Sequence, residues 1–159
     1  MSKTSRLVRA TPAVVFAVLA DGWLYPSWVV GASRVRAVDE SWPQPGSRIH
    51  HSVGVWPVLI DDNTEVEELV DQRLLMLKAR AWPAGEGRVR ISTDPEGPHC
   101  RVTIEEDAVS GPGTLIPAPA RHGLLDVRNK ETLARLAYLA EGHAGLPSAG
   151  TRGVPAADT

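Results

Sequence analysis

The sequence predicts an α+β protein in which a curved antiparallel sheet packs on a long C-terminal helix. Three observations predict it. Seven short segments rich in apolar and β-branched residues recur between turn residues. The final patterned segment changes its period from two to about 3.6, placing Leu125, Asn129, Leu133, Leu136 and Ala140 on one helix face. The chain has 159 residues and no internal repeat, which suits one domain around one core.

The elements follow in order. Lys3 to Arg9 predicts a first strand. Thr11-Pro12 reads as an N-cap followed by Pro at the first helical position, opening a helix from Pro12 to Ala20 that Asp21-Gly22 stops. Trp23 to Val30 predicts a second, shorter helix entered or broken at Pro26. Strands are expected over Ser33 to Val38, Ser47 to Val55, Val58 to Val70, Arg73 to Trp82, Arg88 to Thr93 and His99 to Val109. Their separators carry Pro and Gly, as in Trp42-Pro43-Gln44-Pro45-Gly46 and Asp94-Pro95-Glu96-Gly97-Pro98. A loop from Gly111 to Gly123 leads to the last helix, expected from Leu124 to Glu141. The domain is expected over residues 2–143. Residues 144–159, built from small residues, Gly and Pro, are expected to form a disordered tail.

Composition excludes several classes of function. The formal net charge is −2 and the arginines are scattered singly, so no basic footprint for nucleic acid is present. Cys100 is the one cysteine, which rules out an intramolecular disulfide and a cysteine-based zinc cluster. Lys3, Arg6 and Arg9 before the apolar run from Ala13 to Ala20 imitate a short secretory signal. The capped helix start argues instead that the run belongs to the fold, and it is far too short to span a bilayer. The expectation is a cytoplasmic protein, a monomer or homodimer, without membrane insertion.

One segment stands out within this frame. Asp21 to Gly31 gathers two Trp and a Tyr in a chain with one Phe and two Tyr. Such side chains combine an apolar body with a polar tip and suit the wall of a pocket holding a partly polar ligand. Tyr25 and Trp28 are expected to face a cavity between sheet and helix, and Trp23 to pack in the core. Trp56 and Trp82, beside Pro at strand ends, are expected to plug the barrel end, and Trp42 to be a surface anchor or interface residue.

The chain resembles the SRPBCC or START-like superfamily, which includes aromatic polyketide cyclases and lipid-transfer domains. Thr11-Pro12-Ala13-Val14-Val15-Phe16 looks like that family's first-helix start, and Trp23 to Gly31 like its second-helix region. Ser41-Trp42-Pro43-Gln44-Pro45-Gly46-Ser47 is similar to its strand-connecting turn. Val127-Arg128-Asn129-Lys130-Glu131 with Leu133 and Leu136 resembles the closing helix of a bacterial branch. The resemblance covers about Ser2 to Glu141. It implies a helix-grip fold, a seven-stranded antiparallel sheet gripping the C-terminal helix over a hydrophobic cavity. It does not fix function, because one such scaffold hosts carriers, receptors, cyclases and co-chaperones.

Alternation along the strands selects the polar residues that point inward. Ile49, Val53 and Val55 share a face with His51. Val58, Ile60 and Val66 share a face with Asp62 and Thr64, leaving Asp61, Glu65 and Glu67 outside. Val102 and Ile104 share a face with Glu106, and Asn129 lies on the helix stripe with Leu133 and Leu136. The candidate ligand-binding residues are therefore Tyr25, Trp28, Thr64, Glu106, Asn129, Leu133 and Leu136. His51 and Asp62 are candidates for acid–base catalysis. A metal site from His50, His51, Asp61 and Asp62 is not expected, because adjacent strand residues point to opposite sides, and no cofactor is expected.

Three functions compete. The first is binding or carriage of a small hydrophobic or aromatic ligand. The second is a cyclase or dehydratase in which His51 or Asp62 acts as base. The third is a protein-interaction module using Trp42 and the Gly111 to Gly123 loop.

Overall fold

The computed structural model describes residues 2–81, 85–111, 115 and 117–145. The chain runs β1 (Ser2–Val8), α1 (Pro12–Ala20), a 3-10 turn (Gly22–Leu24), α2 (Tyr25–Trp28), β2 (Ala32–Val38), β3 (Arg48–Val55), β4 (Val58–Val70), β5 (Leu74–Ala81), β6 (Gly85–Glu96), β7 (His99–Ser110) and α3 (Ala118–Ala144). The seven strands form one sheet in the order β1-β7-β6-β5-β4-β3-β2, with every neighbouring pair antiparallel. This is the helix-grip architecture. Of residues 144–159, where a disordered tail was expected, Ala144 ends α3 and Gly145 caps it, while 146–159 lie outside the described residues, as does Trp82.

Local chemistry accounts for the boundaries. The Thr11 side chain accepts from the Val14 N–H, which caps α1 as its sequence requires. Helix α3 begins at Ala118 rather than near Leu124. The Pro residues before and inside its first turn read as loop, yet first-turn N–H groups have no intrahelical partner, so Pro there removes nothing. Strand β6 reaches Glu96, well past Thr93. Its Asp94-Pro95-Glu96 run is a turn signal that pairing overrides, because Asp94, Pro95 and Glu96 lie opposite Arg101, Cys100 and His99 of β7.

The core lies between the helices and the sheet. Val15, Phe16, Val18 and Leu19 of α1 meet Leu133, Leu136, Ala137 and Ala140 of α3 over Ile49, Val66, Leu75, Leu77, Ile91, Val102 and Ile104 of the sheet. Toward the other end of α3 the apolar residues emerge, and Leu124 and Val127 are exposed. The convex face of the sheet carries cross-strand ion pairs, among them Arg48–Glu65, Arg36–Asp61, Lys78–Glu86 and Arg90–Glu105.

Three tryptophans depart from expectation. Trp23 is 61% exposed and lies outside the core. Trp56 is 81% exposed on the β3–β4 turn, so it plugs nothing. Trp42 is buried, and its Nε1–H donates to the Leu19 carbonyl at 3.1 Å. That carbonyl is among the last of α1, which no intrahelical donor reaches, so the indole completes the helix end. A Pro-bounded loop looked like surface because its partner is a backbone atom that no side-chain pattern reveals.

Replacing Trp42 by Phe removes this bond and leaves a buried carbonyl unpaired, a loss expected to be about 1–3 kcal/mol. Urea unfolding should show it, whereas Trp23→Phe should change stability by no more than about 0.5 kcal/mol. Equal midpoints for the two variants would contradict the role given to Trp42.

Candidate functional site

The aromatic segment is held against the sheet by a close approach. A Cβ at Gly22 would lie 2.7 Å from Val38 Cγ1, so only Gly lets the 3-10 turn sit this near β2. Gly31, at φ +100°, then turns the chain from α2 into β2. Between these hinges the short helix aims two rings inward. Tyr25 and Trp28 are buried and meet edge to face, with centroids 5.3 Å apart. They face inward as the sequence implied, and Trp23 takes the solvent side.

Tyr25 is the hub of a polar cluster. Its ring stacks on the His51 imidazole with centroids 5.2 Å apart. Its hydroxyl lies 2.9 Å from Thr64 Oγ1, and His51 Nε2 lies 2.9 Å from the same oxygen. Strand register creates this arrangement. His51 pairs with Asp62 and Ile49 with Thr64, so His51 and Thr64 are diagonal neighbours on one face of β3–β4. A hydroxyl both donates and accepts, so Tyr25, Thr64 and His51 form a continuous chain along which a proton can shift.

Burial sets the charge states here. Desolvation lowers the His51 pKa below that of a free imidazole, against the opposing field of Asp62, so the neutral ring dominates at neutral pH. Desolvation likewise raises the Tyr25 pKa, and the fields of Arg128, Glu106 and Asp62 all reach its hydroxyl.

The opposite wall comes from β7 and α3. Glu106 is buried and its Oε2 accepts from Arg128 Nη2 at 2.5 Å. Asn129, one residue on, is 1% exposed. Buried Thr132 accepts from the Val30 N–H at 3.4 Å, which ties the end of α2 to α3. Four buried polar atoms in this region have no protein partner: Trp28 Nε1, His51 Nδ1, Arg128 Nε and Asn129 Nδ2.

Of the candidates taken from sequence, Tyr25, His51 and Thr64 touch one another and Trp28 joins them through Tyr25, while Asp62 and Glu106 act on the cluster through their fields. The partner of His51 Nε2 is Thr64, while Asp62 Oδ1 accepts from the Asn63 N–H. Leu133 and Leu136 belong to the apolar core. His50 turns outward to Asp39, and Asp61 to Arg36 and Ser52. Burial raises the pKa of Cys100, which makes it a poor nucleophile. Among the described residues no three His, Cys, Asp or Glu side chains are grouped to hold a metal ion, and no helix is long and apolar enough to cross a membrane. Sequence reasoning missed Arg128 and Thr132. Both flank the apolar stripe of α3, and a polar residue beside Asn129 at helical spacing was the available signal.

A His held neutral in the fold makes stability depend on pH. Below about 6.5 the unfolded chain takes up a proton at position 51 before the folded one does, so stability falls as pH drops below that value. His51→Gln should flatten this slope in a Tm-versus-pH series. A His51 ring that titrates at or above the free value by NMR would contradict it.

The comparisons with known proteins agree with this architecture. No curated protein matches the chain significantly. Among solved structures, a protein of Nitrosomonas europaea superposes with a TM-score of 0.67 at 17% identity, covering 89% of this chain and 94% of that one. The di-domain ARO/CYC StfQ of the steffimycin biosynthetic pathway gives a TM-score of 0.69 at 12% identity, covering 91% of this chain and 51% of that one. Ara h 8.0201 gives 0.65 at 13% identity, covering 89% and 95%. At these identities the likeness concerns the fold alone. The family described as polyketide cyclase / dehydrase and lipid transport matches residues 2–141, nearly the whole length of the chain, and the chain belongs to that family.

Proposed function

We propose that the protein binds a small hydrophobic or aromatic molecule between the concave face of the sheet and α3. The observation that carries this reading is the set of buried polar atoms without a protein partner, drawn from α2, β3 and α3 around the Tyr25, Trp28 and His51 rings. A folded interior rarely leaves several polar atoms unpaired. Aromatic walls with a few convergent polar groups are the usual make-up of a small-molecule site. The family description, with its lipid transport and polyketide chemistry, supports the same class of ligand.

Native mass spectrometry of protein taken from its own cells should show a non-covalent adduct of constant mass. Adding that compound to stripped protein should quench tryptophan emission in wild type and Trp23→Phe, and quench it far less in Trp28→Phe. Quenching that depends on Trp23 instead would place the ligand outside this interior.

The hydrogen-bonded chain Tyr25–Thr64–His51 favours a second reading, proton transfer on the bound molecule with His51 as base. The family's cyclase and dehydrase members supply the precedent for reactions of that kind. On this reading His51→Gln or Thr64→Val lowers turnover of a poly-β-ketone surrogate by about 10²-fold. Undiminished turnover in His51→Gln rules it out and leaves the binding role in place.

A further inference from the structure

We infer that the bound molecule is uncharged and presents an acceptor oxygen, a ketone or ester carbonyl, to the seam where α2 meets α3. The inference rests on reading this interior as a ligand site, and it follows from which atoms are left unpaired. Trp28 is 3% exposed and Asn129 1% exposed, and the unpartnered atoms are the indole Nε1–H and the amide Nδ2. An indole N–H can only donate, and an amide nitrogen likewise. Arg128 Nε adds a third donor from the same helix. A buried donor without an acceptor is destabilising, and a ligand oxygen at that position restores the missing bond.

Two of the donors, on Trp28 and Asn129, sit on helices that pack together. The Val30 N–H, two residues past Trp28, donates to Thr132, three residues past Asn129. Trp28 and Asn129 thus flank one seam, α2 on one side and α3 on the other.

Charge separates a carbonyl from a carboxylate. Glu106 already neutralises Arg128. His51 contributes no positive charge at neutral pH. An anionic ligand would therefore find no surplus cation beside these donors. A pure hydrocarbon would leave all three donors without a partner. A neutral carbonyl satisfies both conditions.

Isothermal titration of the full chain with three naphthalenes of matched size tests this. These are 2-acetonaphthone, 2-isopropenylnaphthalene, which has CH2 where the ketone has oxygen, and 2-naphthoate. The ketone should bind at least about tenfold more tightly than either of the others. Asn129→Leu and Trp28→Phe should each shrink the preference for ketone over alkene toward unity. Asn129→Leu should also raise the Tm of the ligand-free protein, because an apolar side chain replaces an unpartnered amide. That second readout stands if Trp28→Phe folds poorly.

Equal Kd values for ketone and alkene overturn the inference and leave the ligand site intact. Tightest binding by 2-naphthoate overturns it in favour of an anionic ligand. Failure of all three to bind overturns the ligand-site reading and this inference together.

Discussion

A sheet with one apolar face has to cover that face, and the other features of this protein depend on how α3 does so. The helix is too short on apolar residues to seal the sheet along its whole length. Leu133, Leu136, Ala137 and Ala140 close it over the α1 end, where burial is nearly complete. Farther toward its N-terminus the same helix offers Arg128 and Asn129 instead. The apolar end supplies folding free energy through removal of surface from water. The polar stretch forgoes part of that gain, and the groups placed there are the ones around which a ligand site can form. Stability and binding thus draw on different turns of one helix.

Much of this was legible in the sequence because it rests on periodicity. The alternation that put Ile49 with His51, Val66 with Asp62 and Thr64, and Ile104 with Glu106 on one face holds in the structure, as β3, β4 and β7 are regular where it matters. The register irregularity of β4 falls between Val66 and Glu68, beyond the polar residues, so the parity argument survives. The inward turn of Tyr25 and Trp28 was also legible, since a short helix cannot bury three rings on one side.

What could not be read depends on partners that local patterns do not encode. Trp42 reads as a loop residue until the last carbonyls of α1 are placed beside it. Trp23 reads as core because it is apolar, but the hinge at Gly22 decides which face of the segment meets the sheet. Arg128 is not singled out as a site residue by sequence, because only the fold brings Glu106 from β7 to meet it. The link between His51 and Thr64, rather than between His51 and Asp62, depends on cross-strand geometry at the level of single hydrogen bonds.

The ion pairs on the convex face have a meaning beyond their small individual energies, which for exposed pairs are about 0–1 kcal/mol each. A one-residue slip of β4 would exchange its two faces. Asp61, Asn63 and Glu65 would then point into the interior, and Asp62 and Thr64 would leave it. In the native register Asp61 and Glu65 meet Arg36 and Arg48, while Glu67 meets Arg88. Turned inward, Asp61 and Glu65 would lose those arginines and be buried in the least favourable place for a carboxylate. The salt-bridged exterior thereby acts as proofreading for strand alignment: it adds little to the depth of the correct state and makes the nearest wrong one untenable.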